Sequence, residues 1–216
     1  MKKIIFLMLV FFIVFIIYYF NVNKNIYYFS VGDYLSYGIN NLNDTKNGYN
    51  DNINKYYKKN ISNYLNYSTT SDYRVMDLIN DITYNKTIKY NSKEYKIQNI
   101  LIKANFITIS IGMNDIINKK NISYDYVDSL IDEINNLFKL IRKYNKDKIY
   151  FLSFYNIINK KNIIEYTNNK LKTICKKNNI NFVDISKLNN YMIDITYPTN
   201  EGYMYITNQI INFTKN

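Results

Sequence analysis

The sequence predicts an α/β domain, a three-layer α/β/α sandwich with a mainly parallel sheet. Two observations predict it. Four short runs are continuously apolar or β-branched and end in polar turns, the signature of strands buried on both faces: Ile26–Val31, Phe106–Ile111, Ile149–Phe154 and Asn181–Ile185. Segments with helical periodicity separate them, and strand–helix alternation of this kind places helices on both faces of a parallel sheet.

Taken in order, the first strand is Ile26–Val31, and a shorter one is expected near Tyr64–Tyr67. Helices are expected over Asn52–Leu65, Arg74–Thr83, Lys96–Ala104 and Thr199–Phe213. The clearest is Asp125–Tyr144, where Val127, Leu130, Ile131, Ile134, Leu137, Phe138 and Ile141 recur at three- and four-residue steps behind an acidic first turn. In Asn168–Asn178, Leu171, Ile174 and the single cysteine Cys175 share an apolar face, so Cys175 reads as a buried side chain with no reactive role.

Ahead of this domain (26–216), residues 1–25 read as a membrane anchor and short linker. Ile4–Phe20 is uncharged and almost wholly apolar, about 26 Å of helix at ~1.5 Å per residue, near the lower limit for spanning a bilayer. Lys2 and Lys3 precede it, which puts the N-terminus in the cytoplasm and the domain outside the cell membrane as a single-pass protein. No small-residue cleavage pattern follows at Asn21–Asn25, which favours an uncleaved anchor.

Charge and composition exclude several chemistries. The formal net charge is +11, yet Arg74 and Arg142 are the only arginines, and basic surfaces that read nucleic acid rely heavily on the guanidinium fork. The densest basic patch, Lys55, Lys58 and Lys59 beside Tyr56 and Tyr57, reads as a solvated surface, and no nucleic-acid partner is expected. The chain has no histidine, so neither imidazole catalysis nor a His-ligated metal is available. Asp33, Asp115 and Asp194 are the carboxylates near strand ends, but nothing in their spacing assigns them a metal, and no cofactor is implied.

In open parallel sheets ligands bind beyond the carboxyl ends of the strands. Two glycine-bearing turns lie there: Gly32-Asp33-Tyr34-Leu35-Ser36-Tyr37-Gly38 after the first strand, and Gly112-Met113-Asn114-Asp115 after Phe106–Ile111. A third segment is Asp194-Ile195-Thr196-Tyr197-Pro198, followed by Gly202-Tyr203. Together these resemble the blocks of the SGNH, or GDSL-type, hydrolases, a family of lipases, esterases and acyl hydrolases. The first turn resembles the Gly-Asp-Ser-Leu block with Tyr34 at the nucleophile position. The second matches Gly-x-Asn-Asp. The third resembles Asp-x-x-His-Pro with Tyr197 at the histidine position. The remaining block aligns near Ser71-Asp72-Tyr73-Arg74 without its glycine.

The resemblance spans residues 26–213 and implies a flavodoxin-like sheet. It implies Asn114, Gly112, Ser71 and Asp72 at the oxyanion or binding positions, and Gly32, Asp33 and Asp115 as turn-forming residues. It also implies that the catalytic positions Tyr34, Asp194 and Tyr197 hold no intact triad. Removing Ser or His from such a triad costs on the order of 10⁶ in turnover. Ser36 is two positions past the nucleophile site and is expected to point elsewhere. A phenol needs strong activation to attack, because its ordinary pKa is near 10, and no lysine lies within the blocks. Tyr34 and Tyr197 are therefore expected to fill the cleft, bonded to each other or to Asp194. Three readings stay open: a degenerate domain that binds a cell-envelope ligand or protein partner, an active ester hydrolase with an altered catalytic set, and a purely structural anchor protein whose cleft the two tyrosines fill.

Overall fold

The computed structural model describes residues 8–15, 25–38, 48–68, 72–117, 119–156, 160–194 and 197–215. Its centre is a five-stranded, wholly parallel sheet built from β1 (Ile26–Gly32), β2 (Ile61–Ser68), β5 (Phe106–Ser110), β6 (Lys148–Leu152) and β7 (Asn181–Val183). The spatial order is β2-β1-β5-β6-β7, so the chain reverses direction of winding between β1 and β5. β5 is buried along its whole length, as its unbroken apolar run requires.

Helices cover both faces. α2 (Tyr49–Tyr56) packs against the C-terminal helix α8 (Asn200–Lys215), while α6 (Tyr124–Tyr144) packs against α3 (Val75–Thr83), α4 (Ile97–Lys103) and α7 (Lys161–Lys177). All seven apolar positions that predicted α6 are buried. Ser123 caps it by accepting from the Tyr126 N–H at 3.1 Å, and Arg142 and Lys143 stand in its last turn, where the helix dipole favours cations. Cys175 is buried on α7, and desolvation pushes its thiol up to about 12.

Two expectations are corrected. Asn52–Leu65 is not one helix: α2 stops at Tyr56, and β2 begins at Ile61. β2 is an edge strand with only Leu65 buried, so its polar Asn and Ser positions carry no strand signal. The chain also forms a hairpin, β3 (Thr87–Tyr90) with β4 (Lys93–Lys96), which turns through Asn91 and Ser92 at φ +48° and +62°. α7 begins at Lys161, earlier than its apolar face suggested, with no side-chain cap to mark the start.

Of Ile4–Phe20, only residues 8–15 are described. They are helical, and their large apolar side chains are exposed. Among the described residues no helix is long and apolar enough to cross a membrane. The rest of the expected anchor lies outside the described residues.

Candidate functional site

β1 delivers the chain to a tight turn that only glycine can begin. Gly32 sits at φ +155°, and a Cβ there would stand 1.8 Å from the Ser110 carbonyl oxygen of β5. Asp33 then locks the turn: its N–H donates to the Ser110 carbonyl at 2.8 Å, and its Oδ1 accepts from the Leu35 N–H at 3.3 Å and the Ser110 hydroxyl at 3.1 Å. This caps the short helix α1 (Tyr34–Tyr37), which closes at Gly38. The Asp33 carboxyl is fully buried, its Oδ2 has no partner among the described residues, and desolvation pushes its pKa up to about 7 against the opposing hydrogen bonds.

The turn aims Tyr34 inward, where it is 2% exposed. Its hydroxyl pairs with that of Tyr155, which follows the end of β6. Its ring meets Tyr197 edge to face, with centroids 6.3 Å apart. Tyr203 of α8 completes a group of four phenols, since both Tyr155 and Tyr197 raise its pKa after desolvation. Burial also raises Tyr34 and Tyr155, followed for Tyr34 by the phenol of Tyr155 and the carboxylate of Asp33. Tyr34, Tyr155 and Tyr203 are held neutral. The expected bond between Tyr34 and Tyr197 is replaced by a ring contact, because the hydroxyl of Tyr34 is taken by Tyr155. No motif marks Tyr155 in the sequence; its position just past the carboxyl end of a buried strand is the one signal that could have found it.

Asp194 is exposed and accepts from the backbone N–H of Tyr197 at 2.8 Å, while Ile193 and Tyr197 close the same loop by a 2.8 Å backbone bond. On the neighbouring strand, β5 leads to Gly112 at φ +104°, where a Cβ would press within 2.8 Å of the Phe154 ring. α5 (Met113–Ile117) follows. Asn114 is nearly buried and donates to the Tyr73 carbonyl at 3.0 Å. Asp115 accepts from the Val75 N–H at 3.3 Å, and burial pushes its carboxyl up to about 6. Both residues tie α5 to the segment where the glycine-lacking block aligned. Within that block Asp72 is exposed and lines a cavity of about 420 Å³ with Asp77, Asp81 and Lys86. Ser71 lies outside the described residues. Ser36 points away into the core, its hydroxyl 2.9 Å from that of Tyr49.

No family profile and no curated protein sequence matches the chain. Solved structures do. A protein assigned to the G-D-S-L lipolytic family, from Desulfitobacterium hafniense DCB-2, superimposes with a TM-score of 0.65 at 14% identity, covering 87% of this chain and 99% of its own. An acetylxylan esterase from Geobacillus stearothermophilus gives 0.64 at 14%, covering 88% and 94%. A carbohydrate esterase whose active site displays divergent catalytic and non-catalytic binding functions gives 0.62 at 13%, covering 89% and 69%.

The fold is that of the SGNH hydrolases.

On this SGNH fold, the structure brings Tyr34, Tyr197 and Asp194 into one connected set and puts Gly112, Asn114 and Asp115 on the turn of the adjacent strand. What the set offers chemically is neutral hydrogen-bond donors on aromatic walls. Activating a phenol for attack needs a lowered pKa, and every shift described for these phenols runs upward. Asp33 could exchange a proton near neutral pH, but it lies beneath Tyr34 with no exposed surface.

Proposed function

We propose that this protein is a catalytically degenerate SGNH-fold domain. It is held outside the cell membrane by Ile4–Phe20 and binds a cell-envelope ligand or protein partner through its remodelled cleft. The observation that carries degeneracy is the buried pairing of Tyr34 with Tyr155: the nucleophile position holds a neutral phenol whose hydroxyl is already engaged. A histidine-free chain supplies no imidazole to replace it. The carbohydrate esterase with non-catalytic binding functions in its active site supports the idea that such a cleft can be kept for binding. The anchor is supported by the run of exposed apolar side chains at residues 8–15, which water solvates poorly.

The test is direct. Full-length protein in detergent micelles is assayed against p-nitrophenyl acetate and butyrate and incubated with a fluorophosphonate. The expected result is hydrolysis at the buffer rate and no phosphonyl adduct by mass spectrometry. Turnover that Tyr34→Phe or Asn114→Ala abolishes would establish the competing reading, an ester hydrolase with an altered catalytic set.

A further inference from the structure

At the opposite end of the sheet from Tyr34, the amino-terminal ends of β1, β5 and β6 and the end of α8 surround a cavity of about 560 Å³. That volume is within the range of small-molecule sites, roughly 300–1,000 Å³. Its inner wall is aromatic: Phe106 stands edge to face with Tyr150 at 5.0 Å between centroids and with Tyr57 at 6.3 Å. Its rim is polar, with Asn25, Asp147 and Lys148 all exposed.

Two features say what would fit. Tyr150 is 1% exposed and lines the cavity, and its hydroxyl has no hydrogen-bond partner among the described residues. A hydroxyl at a cavity wall with no protein partner is completed by water or by a ligand. Burial pushes this phenol up to about 12, with Tyr57 adding to the effect, so it stays a neutral donor and acceptor across the physiological range. The rim carries one carboxylate and one ammonium, and neither is in an ion pair among the described residues. Their charges offset, so the opening favours neither an anion nor a cation. Aromatic faces with mixed neutral donors and acceptors suit a ring whose faces are apolar and whose edge bears hydroxyls.

We propose that this cavity is a second ligand site, distinct from the SGNH cleft, and that it takes a neutral hydroxylated ring of the saccharide class, with Tyr150 as the buried hydrogen-bonding partner and Phe106 as the packing wall.

Full-length protein in detergent micelles is titrated with methyl β-D-glucopyranoside by saturation-transfer NMR, alongside inorganic phosphate and tetramethylammonium. Sugar binding in the millimolar range is expected, with no response from either ion. Tyr150→Phe keeps the ring and deletes one neutral hydrogen bond, so affinity should fall about fivefold. Asp147→Ala on the exposed rim should weaken binding by about twofold, and Lys161→Ala, exposed beyond the carboxyl end of β6, should leave it unchanged. The proposal is overturned if the sugar gives no transfer, if both Tyr150→Phe and Asp147→Ala bind as the parent does, or if Lys161→Ala abolishes binding.

Discussion

Tyr34 and Tyr197 meet edge to face with ring centroids 6.3 Å apart, so the two positions where the motif resemblance puts a nucleophile and its base are in contact through apolar ring surface. The hydroxyl of Tyr34 turns from Tyr197 to Tyr155, and this sets the consequences that follow.

Either change breaks the buried bond between Tyr34 and Tyr155. Tyr34→Phe and Tyr155→Phe should each destabilise the fold by about 1–2 kcal/mol. The double variant should lose less than the sum, because both single changes break the same bond. Urea unfolding of the four proteins measures it, and strict additivity would show that the two hydroxyls do not interact.

Asp33 and Asp115 make stability depend on pH. Their carboxyls titrate at about 7 and about 6 when folded, against an ordinary 3.8, so the folded state holds more protons than the unfolded state between these limits. Their contribution is fully present below about pH 4 and is lost as pH rises toward 7, at up to ~1.4 kcal/mol for each unit of difference. Asp33→Asn should flatten most of that slope. Urea midpoints taken from pH 4 to pH 8 would expose an error if the variant kept the parent's slope.

Gly32→Ala places a Cβ where the Ser110 carbonyl oxygen stands 1.8 Å away and strains a positive φ. The β1–β5 pairing and the Asp33–Ser110 bond must then part, at a cost of roughly 3 kcal/mol or more. Thermal unfolding should show it, whereas Ser36→Ala, which loses a 2.9 Å bond to Tyr49 and a long 3.4 Å bond to the Val31 carbonyl, should cost only about 1–2 kcal/mol.

The proposed membrane anchor at Ile4–Phe20 can be tested by extraction. Full-length protein should stay with membranes after an alkaline wash. An arginine near the centre of an inserted helix costs ~2.5–3.5 kcal/mol, so the double change Val10→Arg with Ile13→Arg should release it. Release of the unchanged protein by the same wash would exclude an inserted segment.

Burial decided what could be read from the sequence. β1, β5, β6 and α6 were legible because each buries a continuous or periodic apolar set, and burial writes itself into residue type. Only the Tyr64–Tyr67 part of β2 was legible, and its start at Ile61 and the β3–β4 hairpin escaped because they are half-exposed; lysine, asparagine and tyrosine satisfy a solvated strand as well as a helix or loop. The turns bearing Gly32 and Gly112 were legible through steric need. Tyr155 was not, because its role comes from a contact with Tyr34 121 residues away, and no local pattern encodes it.

The central claim is that the scaffold persists while its acyl-transfer chemistry has been replaced by tyrosines. Restoring both groups with Tyr34→Ser and Tyr197→His, and measuring p-nitrophenyl acetate hydrolysis beside the unchanged protein and each single variant, tests it most directly. The account predicts turnover above background in the double variant alone, removed again by Asn114→Ala. Hydrolysis already present in the unchanged protein and lost in Tyr34→Phe would contradict it.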